Sequence, residues 1–287
     1  DNIFIHKSML VSNVLINIKY TMPEKISKLV KFSNFLADNA RKISLRYFKK
    51  SLKITSKEKN SFDPVTIADI TIQKKINNLI NQYYPDHSIL GEEESFIKES
   101  EYEWCIDPID GTKSFIQGVP LWGTLISLAK NKKIILGIAD IPALNERYLG
   151  YSNKSYKIVQ GKNYKLRVNN NSKLNNSILN TTSPYVFANK SDQKSFERVS
   201  KKVKSTRLGG DCYSYCLLAD GHVDIVIESG LKPWDIRALE PIIVNAGGIL
   251  KTWENKEVIS GGRIIACNNK VLFGKVIREM KKKPNYK

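Results

Sequence analysis

An acidic segment in the first half of the sequence contains the residues best suited to chemistry. Nine carboxylates lie between Asp86 and Asp110, with Lys98 as the single base among them, although the chain as a whole has a formal net charge of +18. Carboxylates at this density repel one another unless cations lie between them. The segment is therefore either a solvated loop or a place where cations bind.

Asp107 and Asp110 are the strongest candidates for cation binding. They belong to the hexapeptide DPIDGT at positions 107–112, which follows a short apolar strand. Pro108 fixes one φ and Gly111 permits another, so we expect a sharp turn that projects both carboxylates from one strand end. Mg²⁺ prefers carboxylate, carbonyl and water oxygens and commonly pairs with substrate phosphate. The hexapeptide thus predicts a magnesium site.

The other carboxylates of the segment divide into two groups. Glu92 follows a predicted strand at residues 88–90, which would bring its carboxylate to the same sheet edge as the hexapeptide. For Glu99, Glu101 and Glu103 we prefer the interpretation as a solvated acidic loop.

Hydrophobic periodicity predicts the elements that must position these residues. Apolar side chains at three- and four-residue steps predict helices over about residues 24–49 and 68–83, the second capped by Thr66. Strands and turns alternate from residue 88 to residue 159, which predicts a largely antiparallel sheet flanked by these two helices. From about residue 176, strands alternate with helices, which indicates an α/β arrangement.

These patterns divide the chain into three parts. Residues 1–22 lack a clear period and read as an N-terminal extension, with Met22 as a candidate start. Residues 23–170 are predicted to form an α+β domain that carries most of the metal ligands. Residues 171–287 are predicted to form an α/β domain, with the Asn-rich stretch 169–176 as the linker.

Composition excludes several classes of function. The longest uncharged stretch, residues 114–129, contains proline and glycine and is too short to span a membrane. Four cysteines form no CxxC pair, so we expect a protein of the reducing cytosol. Three scattered histidines make a histidine-rich zinc site improbable. The basic charge is lysine spread along the chain, so nucleic-acid binding is an unfavoured alternative.

Four motifs together resemble the inositol monophosphatase family over about residues 24–280. They are DPVTIAD at 63–69, GEE at 91–93, DPIDGT at 107–112 and KPWD at 232–235. The resemblance implies a five-layered α-β-α-β-α sandwich of the inositol monophosphatase and fructose-1,6-bisphosphatase type. It also implies a Mg²⁺-dependent, lithium-sensitive phosphomonoesterase that forms a cytoplasmic homodimer.

Three further stretches are similar to the histidinol-phosphate phosphatase branch of that family. They are GVPLWGTLISL at 118–128, LGGDCY at 208–213 and the segment 230–248. The branch implies hydrolysis of histidinol phosphate to histidinol and phosphate in histidine biosynthesis. Inositol 1-phosphate and 3'(2'),5'-bisphosphate nucleotides remain alternative substrates. A basic nucleic-acid-binding protein or a non-catalytic relative on the same fold remain alternatives of other classes.

The resemblance also implies a set of metal ligands. Glu92, Asp107 and the Ile109 carbonyl would hold one Mg²⁺, while Asp107, Asp110 and Asp235 would hold a second, with two or three ions per site. Two metals of this kind activate a water and stabilise the leaving oxygen in phosphoryl transfer.

Catalytic and phosphate-binding roles follow from the same resemblance. Thr112 and Asp69 would orient the attacking water and accept its proton, with Glu92 assisting at the metals. The alternative for Asp69 is that it only caps the second helix. Gly111 and Thr112 would open a short helix whose amides bind phosphate. Lys59 matches a loop lysine of the family, although Lys57 is a neighbouring alternative.

Substrate choice is expected to lie with Asp211, Glu228 and Gly210. Histidinol phosphate carries an imidazole and an ammonium, so its site needs carboxylates, which we expect away from the metals. Glu228 matches both branches, which makes Asp211 the better discriminator. The alternative is that Asp211 is only a turn residue after two glycines.

Overall fold

Two large β-sheets, a two-stranded ribbon and eight α-helices form the regular structure of the part of the chain that the computed structural model describes, residues 25–51, 54–56 and 64–282. The elements of the first half, in chain order, are α1 (Ile26–Tyr47), β1 (Ile54–Ser56), β2 (Pro64–Thr66), α2 (Ile67–Tyr83), β3 (Ser88–Gly91), β4 (Tyr102–Asp110), α3 (Thr112–Gln117), β5 (Gly123–Lys130), β6 (Lys133–Ile141), β7 (Glu146–Tyr151), β8 (Lys154–Val159) and β9 (Lys162–Lys165). Strands β1 and β2 form a separate two-stranded ribbon.

The second half contains fewer strands and more helices. Its elements are β10 (Ile178–Thr181), α4 (Lys190–Ser200), β11 (Ser205–Leu208), α5 (Asp211–Ala219), β12 (Ile225–Leu231), α6 (Pro233–Ile236), α7 (Leu239–Asn245), β13 (Ile249–Thr252), β14 (Gly262–Cys267) and α8 (Lys270–Met280). Helices α4 and α8 begin at Asn189 and Asn269, whose side chains accept hydrogen bonds from the first turn.

The larger sheet has seven strands in the order β3-β4-β5-β6-β7-β8-β9. Only β3 and β4 run parallel, and the remaining pairs are antiparallel, as the alternating sequence pattern predicts. Helices α1 and α2 cover one face and bury an aliphatic and aromatic core there, which includes Leu36, Ile72 and Trp104. The helices predicted to flank this sheet are therefore both present on that face.

The smaller sheet has five strands in the order β11-β10-β12-β14-β13. Helices α4 and α8 pack on its outer face through a core that includes Phe196 and Leu272. Its inner face shares another core with α5, α7 and the larger sheet. The layers packed on one another are therefore helices, sheet, helices, sheet and helices. This confirms the predicted five-layered sandwich.

Several details differ from the sequence prediction. Strand β4 continues to Asp110 instead of ending before the hexapeptide, because Asp107 and Asp110 both pair with β5, with a register shift between them. Glu103 lies within β4 rather than in a solvated loop. Strands β9 and β11 were not predicted, because their short polar sequences lack an alternating apolar pattern.

Some predicted features cannot be compared with this fold. The N-terminal extension at residues 1–22, the loop lysine Lys59 with its alternative Lys57, and Asp63 of the first motif lie outside the described residues. Among the described helices, none combines the length and apolar character that crossing a bilayer requires.

Two glycines allow the segment after α6 to lie directly on the larger sheet. A Cβ atom at Gly137 would lie 2.0 Å from the carbonyl oxygen of Ala238. A Cβ atom at Gly150 would lie 2.4 Å from the backbone of Pro241. Contacts this short are not available to a side chain, so helix α7 can approach the sheet only where these strands carry glycine.

We predict that Gly150→Ala lowers the free energy of unfolding by about 1–3 kcal/mol, because the added methyl group forces backbone apart in a packed core. Urea denaturation measures the change. Gly274→Ala is the control: Gly274 lies on the exposed face of α8 with open space around it, so the free energy of unfolding should stay unchanged or rise by up to about 1 kcal/mol. Equal stability of Gly150→Ala and wild type would show that the close contact is not required.

Candidate active site

Three aspartates from distant parts of the sequence meet between the two sheets. Asp107 and Asp110 lie near the end of β4, and Asp235 lies in the short helix α6. One carboxylate oxygen from each lies within 4.8 Å of the other two. Asp107 is buried, and the other two are half-buried. The prediction that Asp235 reaches the hexapeptide from the second half of the chain therefore agrees with this geometry.

Backbone amides hold two of these carboxylates in place. The Cys212 amide at the start of α5 donates to Asp110 Oδ2 at 2.6 Å. The Lys232 amide donates to Asp235 Oδ2 at 2.6 Å, which closes the first turn of α6. Strand β4 itself is fixed next to the site, since the Thr124 hydroxyl donates to the Pro108 carbonyl at 2.8 Å.

Asp107 has a buried carboxylate oxygen, Oδ1, without a hydrogen-bond partner among the described residues. Burial raises the pKa of Asp107 well above its usual range, and the charges of Glu92, Asp110 and Asp235 raise it further. Leaving a buried acceptor unpaired costs free energy, and packing carboxylates together costs more. A divalent cation would remove both costs. The donor set consists of hard oxygens, which suits Mg²⁺ or Mn²⁺ rather than a metal that prefers sulfur or imidazole.

The two other predicted ligands lie beside this cluster. The Glu92 amide donates to the Ile106 carbonyl at 3.1 Å, and the Glu92 side chain lies close enough to Asp107 that its charge, after burial, helps to raise the pKa of Asp107. The Ile109 carbonyl accepts a hydrogen bond from the Thr112 hydroxyl at 3.0 Å.

Asp69 is both a helix cap and an unusual acid. Its Oδ2 accepts from the Thr66 amide at 2.9 Å and from the Thr66 hydroxyl at 2.6 Å, in a capping box at the start of α2. Burial raises the pKa of Asp69 to about 7, with a smaller contribution from the charges of Glu93 and Glu92. The capping role considered as the alternative is therefore present, and the raised pKa comes in addition to it.

Gly111 lies between strand β4 and helix α3 and needs to be glycine for two reasons. Its φ of 82° lies in the left-handed region, and a Cβ atom there would lie 2.9 Å from Asp211 Oδ2. Ser114 in α3 donates from its hydroxyl to the same Asp211 oxygen at 2.8 Å. Asp211 was expected away from the metals, but it lies close enough to Asp110 to raise the pKa of Asp110 by charge repulsion.

The remaining predicted substrate residues lie in strand β12 and just before helix α5. Glu228 in β12 accepts from the Thr182 amide at 2.5 Å and the Thr181 hydroxyl at 3.2 Å, and burial raises its pKa to about 7. Gly210 precedes α5 with a φ of 115°, next to Asp211, which itself has a positive φ of 45°.

Sequence reasoning missed the groups that hold the predicted side chains. The Cys212 amide, the Ser114 hydroxyl and the Thr182 amide each donate to a predicted carboxylate. Two of them are backbone donors, for which no residue type is diagnostic. Ser114 lies two residues beyond the hexapeptide, but its partner is 97 residues away. Only the folded chain reveals these pairs.

Comparison with known proteins identifies a consistent set of relatives. A family model described as the inositol monophosphatase family matches residues 25–285. The bifunctional phosphatase IMPL2 (chloroplastic) of Arabidopsis thaliana is 43% identical over 251 residues, which are 85% of this chain and 71% of that protein. A histidinol-phosphatase of Chlorobaculum parvum is 33% identical over 245 residues, 82% of this chain and 90% of that protein.

A solved structure shares the fold as well as the sequence. The inositol monophosphatase from Zymomonas mobilis superposes with a TM-score of 0.80 at 33% sequence identity. The match covers 90% of this chain and 100% of that one. The predicted family and fold class are thereby confirmed.

We predict that Glu228 makes the metal-free protein lose stability as pH rises. Its folded pKa is raised from 4.5 to about 7, so its favourable contribution is complete below the unfolded pKa and is lost as pH rises through about 7. The loss should be on the order of 3 kcal/mol between pH 4.5 and 7. Urea denaturation with a chelator at several pH values measures it.

The matched variant is Glu228→Gln, which keeps the shape of the side chain and cannot titrate. Its stability relative to wild type should rise across this pH window. Parallel pH profiles for the two proteins would contradict a raised pKa at Glu228.

Proposed function

The chain belongs to the inositol monophosphatase family of phosphomonoester hydrolases, and on this basis we propose that it hydrolyses histidinol phosphate with Mg²⁺ as its cofactor. The observation that carries the proposal is the cluster of Asp107, Asp110 and Asp235, with an unpaired buried oxygen on Asp107. Such a cluster repels itself in the absence of cations, and hard cations are the usual partners of phosphate esters in enzymes.

The proposed ligand sets are those that the family resemblance implies. Glu92, Asp107 and the Ile109 carbonyl hold one Mg²⁺, and Asp107, Asp110 and Asp235 hold a second. When bound, the metal supplies positive charge to the phosphoryl oxygens and lowers the pKa of a coordinated water. The raised pKa of Asp107 makes cation binding compete with protonation of this side chain, because a carboxylate binds a metal in its deprotonated form.

The proposed catalytic pair is Thr112 and Asp69. The Thr112 hydroxyl donates its proton to the Ile109 carbonyl, so its oxygen can act only as an acceptor toward a water molecule. It can thus orient the water by accepting a hydrogen bond from it. Asp69, with a pKa of about 7, is suited to take the other proton at neutral pH. The Gly111 and Thr112 amides at the start of α3 are proposed to bind the phosphate.

Two carboxylates favour a cationic substrate over a neutral polyol. Asp211 lies against Gly111, and so beside the proposed phosphate site, while Glu228 lies on β12 with a pKa of about 7. The ammonium or imidazolium of histidinol phosphate would pair with these groups and stabilise their ionised forms. The name of the Chlorobaculum relative, a histidinol-phosphatase, is in keeping with this choice. Inositol 1-phosphate is the second candidate, because the Zymomonas structure is that of an inositol monophosphatase.

Other properties implied by the family stay predictions. They are lithium sensitivity, a homodimer, a cytoplasmic location and the role of Lys59. Nucleic-acid binding in place of catalysis is disfavoured, since all the proposed carboxylate ligands are present in the sequence.

We predict that Asp110→Asn lowers Mg²⁺-dependent phosphate release by at least about 100-fold, because the change keeps the shape of the side chain and removes a ligand charge. A phosphate-release assay over a Mg²⁺ series measures the effect. Glu101→Gln is the control, since Glu101 is an exposed carboxylate of the same acidic segment and should retain full activity. Full activity of Asp110→Asn would show that the metal assignment is wrong.

We predict that Asp211→Asn lowers kcat/KM for histidinol phosphate by about 10- to 100-fold, because a hydrogen bond to a charged group is lost. Asparagine tolerates the positive φ at this position, so the backbone should be kept. Hydrolysis of p-nitrophenyl phosphate, whose leaving group carries no cation, by the same variant is the internal control and should change little. An equal loss on both substrates would assign Asp211 to the phosphate site instead of to substrate choice. A wild-type preference for inositol 1-phosphate would replace the proposed substrate.

A further inference from the structure

We propose that Arg237 and Glu103 form a clamp that positions Asp235 for metal binding. The inference rests on the proposed role of Asp235 as a metal ligand. Arg237 follows Asp235 by two residues at the end of α6, and Glu103 precedes Asp107 by four residues in β4. The pair therefore joins the two elements that supply the three clustered carboxylates.

Arg237 makes two hydrogen bonds in different directions. Its Nη1 donates to Glu103 Oε1 at 2.6 Å, and its Nε donates to the Ile259 carbonyl at 2.6 Å. The Arg237 side chain is 10% exposed and that of Glu103 is 34% exposed, so the guanidinium is largely shielded from water while its carboxylate partner is partly solvated. A planar guanidinium can make this pair of contacts with fixed angles between them, whereas the single ammonium of lysine cannot.

Helix α6 needs an external restraint because it has only four residues. A helix this short has almost no stability of its own. Its internal bonds include the Lys232 amide to Asp235 and the Arg237 amide to the Pro233 carbonyl at 3.1 Å. These bonds shape the turn, but they do not fix its distance from β4. The clamp provides that distance, since it links the end of α6 directly to the strand.

The loop that receives the second bond is itself packed against the chain before α6. A Cβ atom at Gly261 would lie 2.3 Å from the Leu231 carbonyl oxygen, so this loop and the end of β12 are in close backbone contact. Arg237 is thus anchored to β4 on one side and to the loop before β14 on the other. Movement of Asp235 away from Asp107 requires both anchors to yield.

Replacing Arg237 affects cation binding in two opposite ways, through the loss of its charge and through the loss of its positioning role, which makes the inference testable. Removing its positive charge near the carboxylates would by electrostatics alone strengthen cation binding. Loss of positioning would weaken it. Arg237→Lys separates the two effects, because the charge is kept and the two-directional contact is lost.

The experiment measures Mg²⁺ binding to the full chain by isothermal titration calorimetry and by the Mg²⁺-dependent rise in Tm, alongside the Mg²⁺ dependence of phosphate release. We expect Arg237→Lys and Glu103→Gln each to raise the Mg²⁺ Kd about tenfold, with kcat at saturating Mg²⁺ reduced much less. The double variant should be little worse than either single one, because both changes break the same contact.

Arg147→Lys is the matched control. The Arg147 side chain is also 10% exposed and pairs with Asp140 and Asp38, but these partners lie in β6 and α1, which supply no proposed ligand. The Arg147→Lys variant should have a lower Tm and an unchanged Mg²⁺ Kd.

Three outcomes would overturn the clamp. An unchanged Mg²⁺ Kd in Arg237→Lys would show that Asp235 is positioned without it. Additive losses in the double variant would show that the two residues act separately, and an equal rise of Kd in Arg147→Lys would show a general effect of stability. Failure of the proposed function is distinct from these outcomes, since wild type would then release no phosphate in the presence of Mg²⁺.

Discussion

Repulsion among buried carboxylates is the constraint around which this structure is arranged. Asp107, Asp110 and Asp235 place oxygens within 4.8 Å of one another, and the charge of Glu92 acts on Asp107 as well. Without cations the arrangement is unfavourable, because burial and like charge both disfavour ionisation. The free energy that keeps the carboxylates together must come from the rest of the fold.

The layer of helices between the two sheets connects the carboxylates to the rest of the fold. Helix α5 presents the Cys212 amide to Asp110, and α6, just before α7, carries Asp235. Both α5 and α7 are packed between the sheets in one continuous apolar core. The larger sheet admits α7 at close range because two of its strands carry glycine. Sheet packing and site geometry are therefore coupled, and a change that moves the middle layer also moves a carboxylate.

The fold class and the clustered aspartates could be predicted from the sequence. The contacts that these side chains make in the folded protein could not. Asp107 and Asp110 were identified because proline and glycine mark the hexapeptide, and Asp235 was identified by resemblance to a known motif. The register shift in β4 depends on β5 pairing, which no local pattern encodes. For the same reason, the contact of Asp211 with Gly111 was not foreseen. Contacts between residues about 100 positions apart follow from tertiary packing and have no local sequence signal.

The central claim is that Asp107, Asp110 and Asp235 bind a divalent cation. A crystal structure determined with Mn²⁺ and phosphate tests it most directly, because Mn²⁺ scatters anomalously and occupies sites that suit Mg²⁺. We predict an anomalous peak within about 2.3 Å of carboxylate oxygens from Asp107, Asp110 and Asp235, with phosphate bound beside it. An empty carboxylate cluster in crystals that hold Mn²⁺ only at positions away from these aspartates, Glu92 and the Ile109 carbonyl would contradict the proposed metal site.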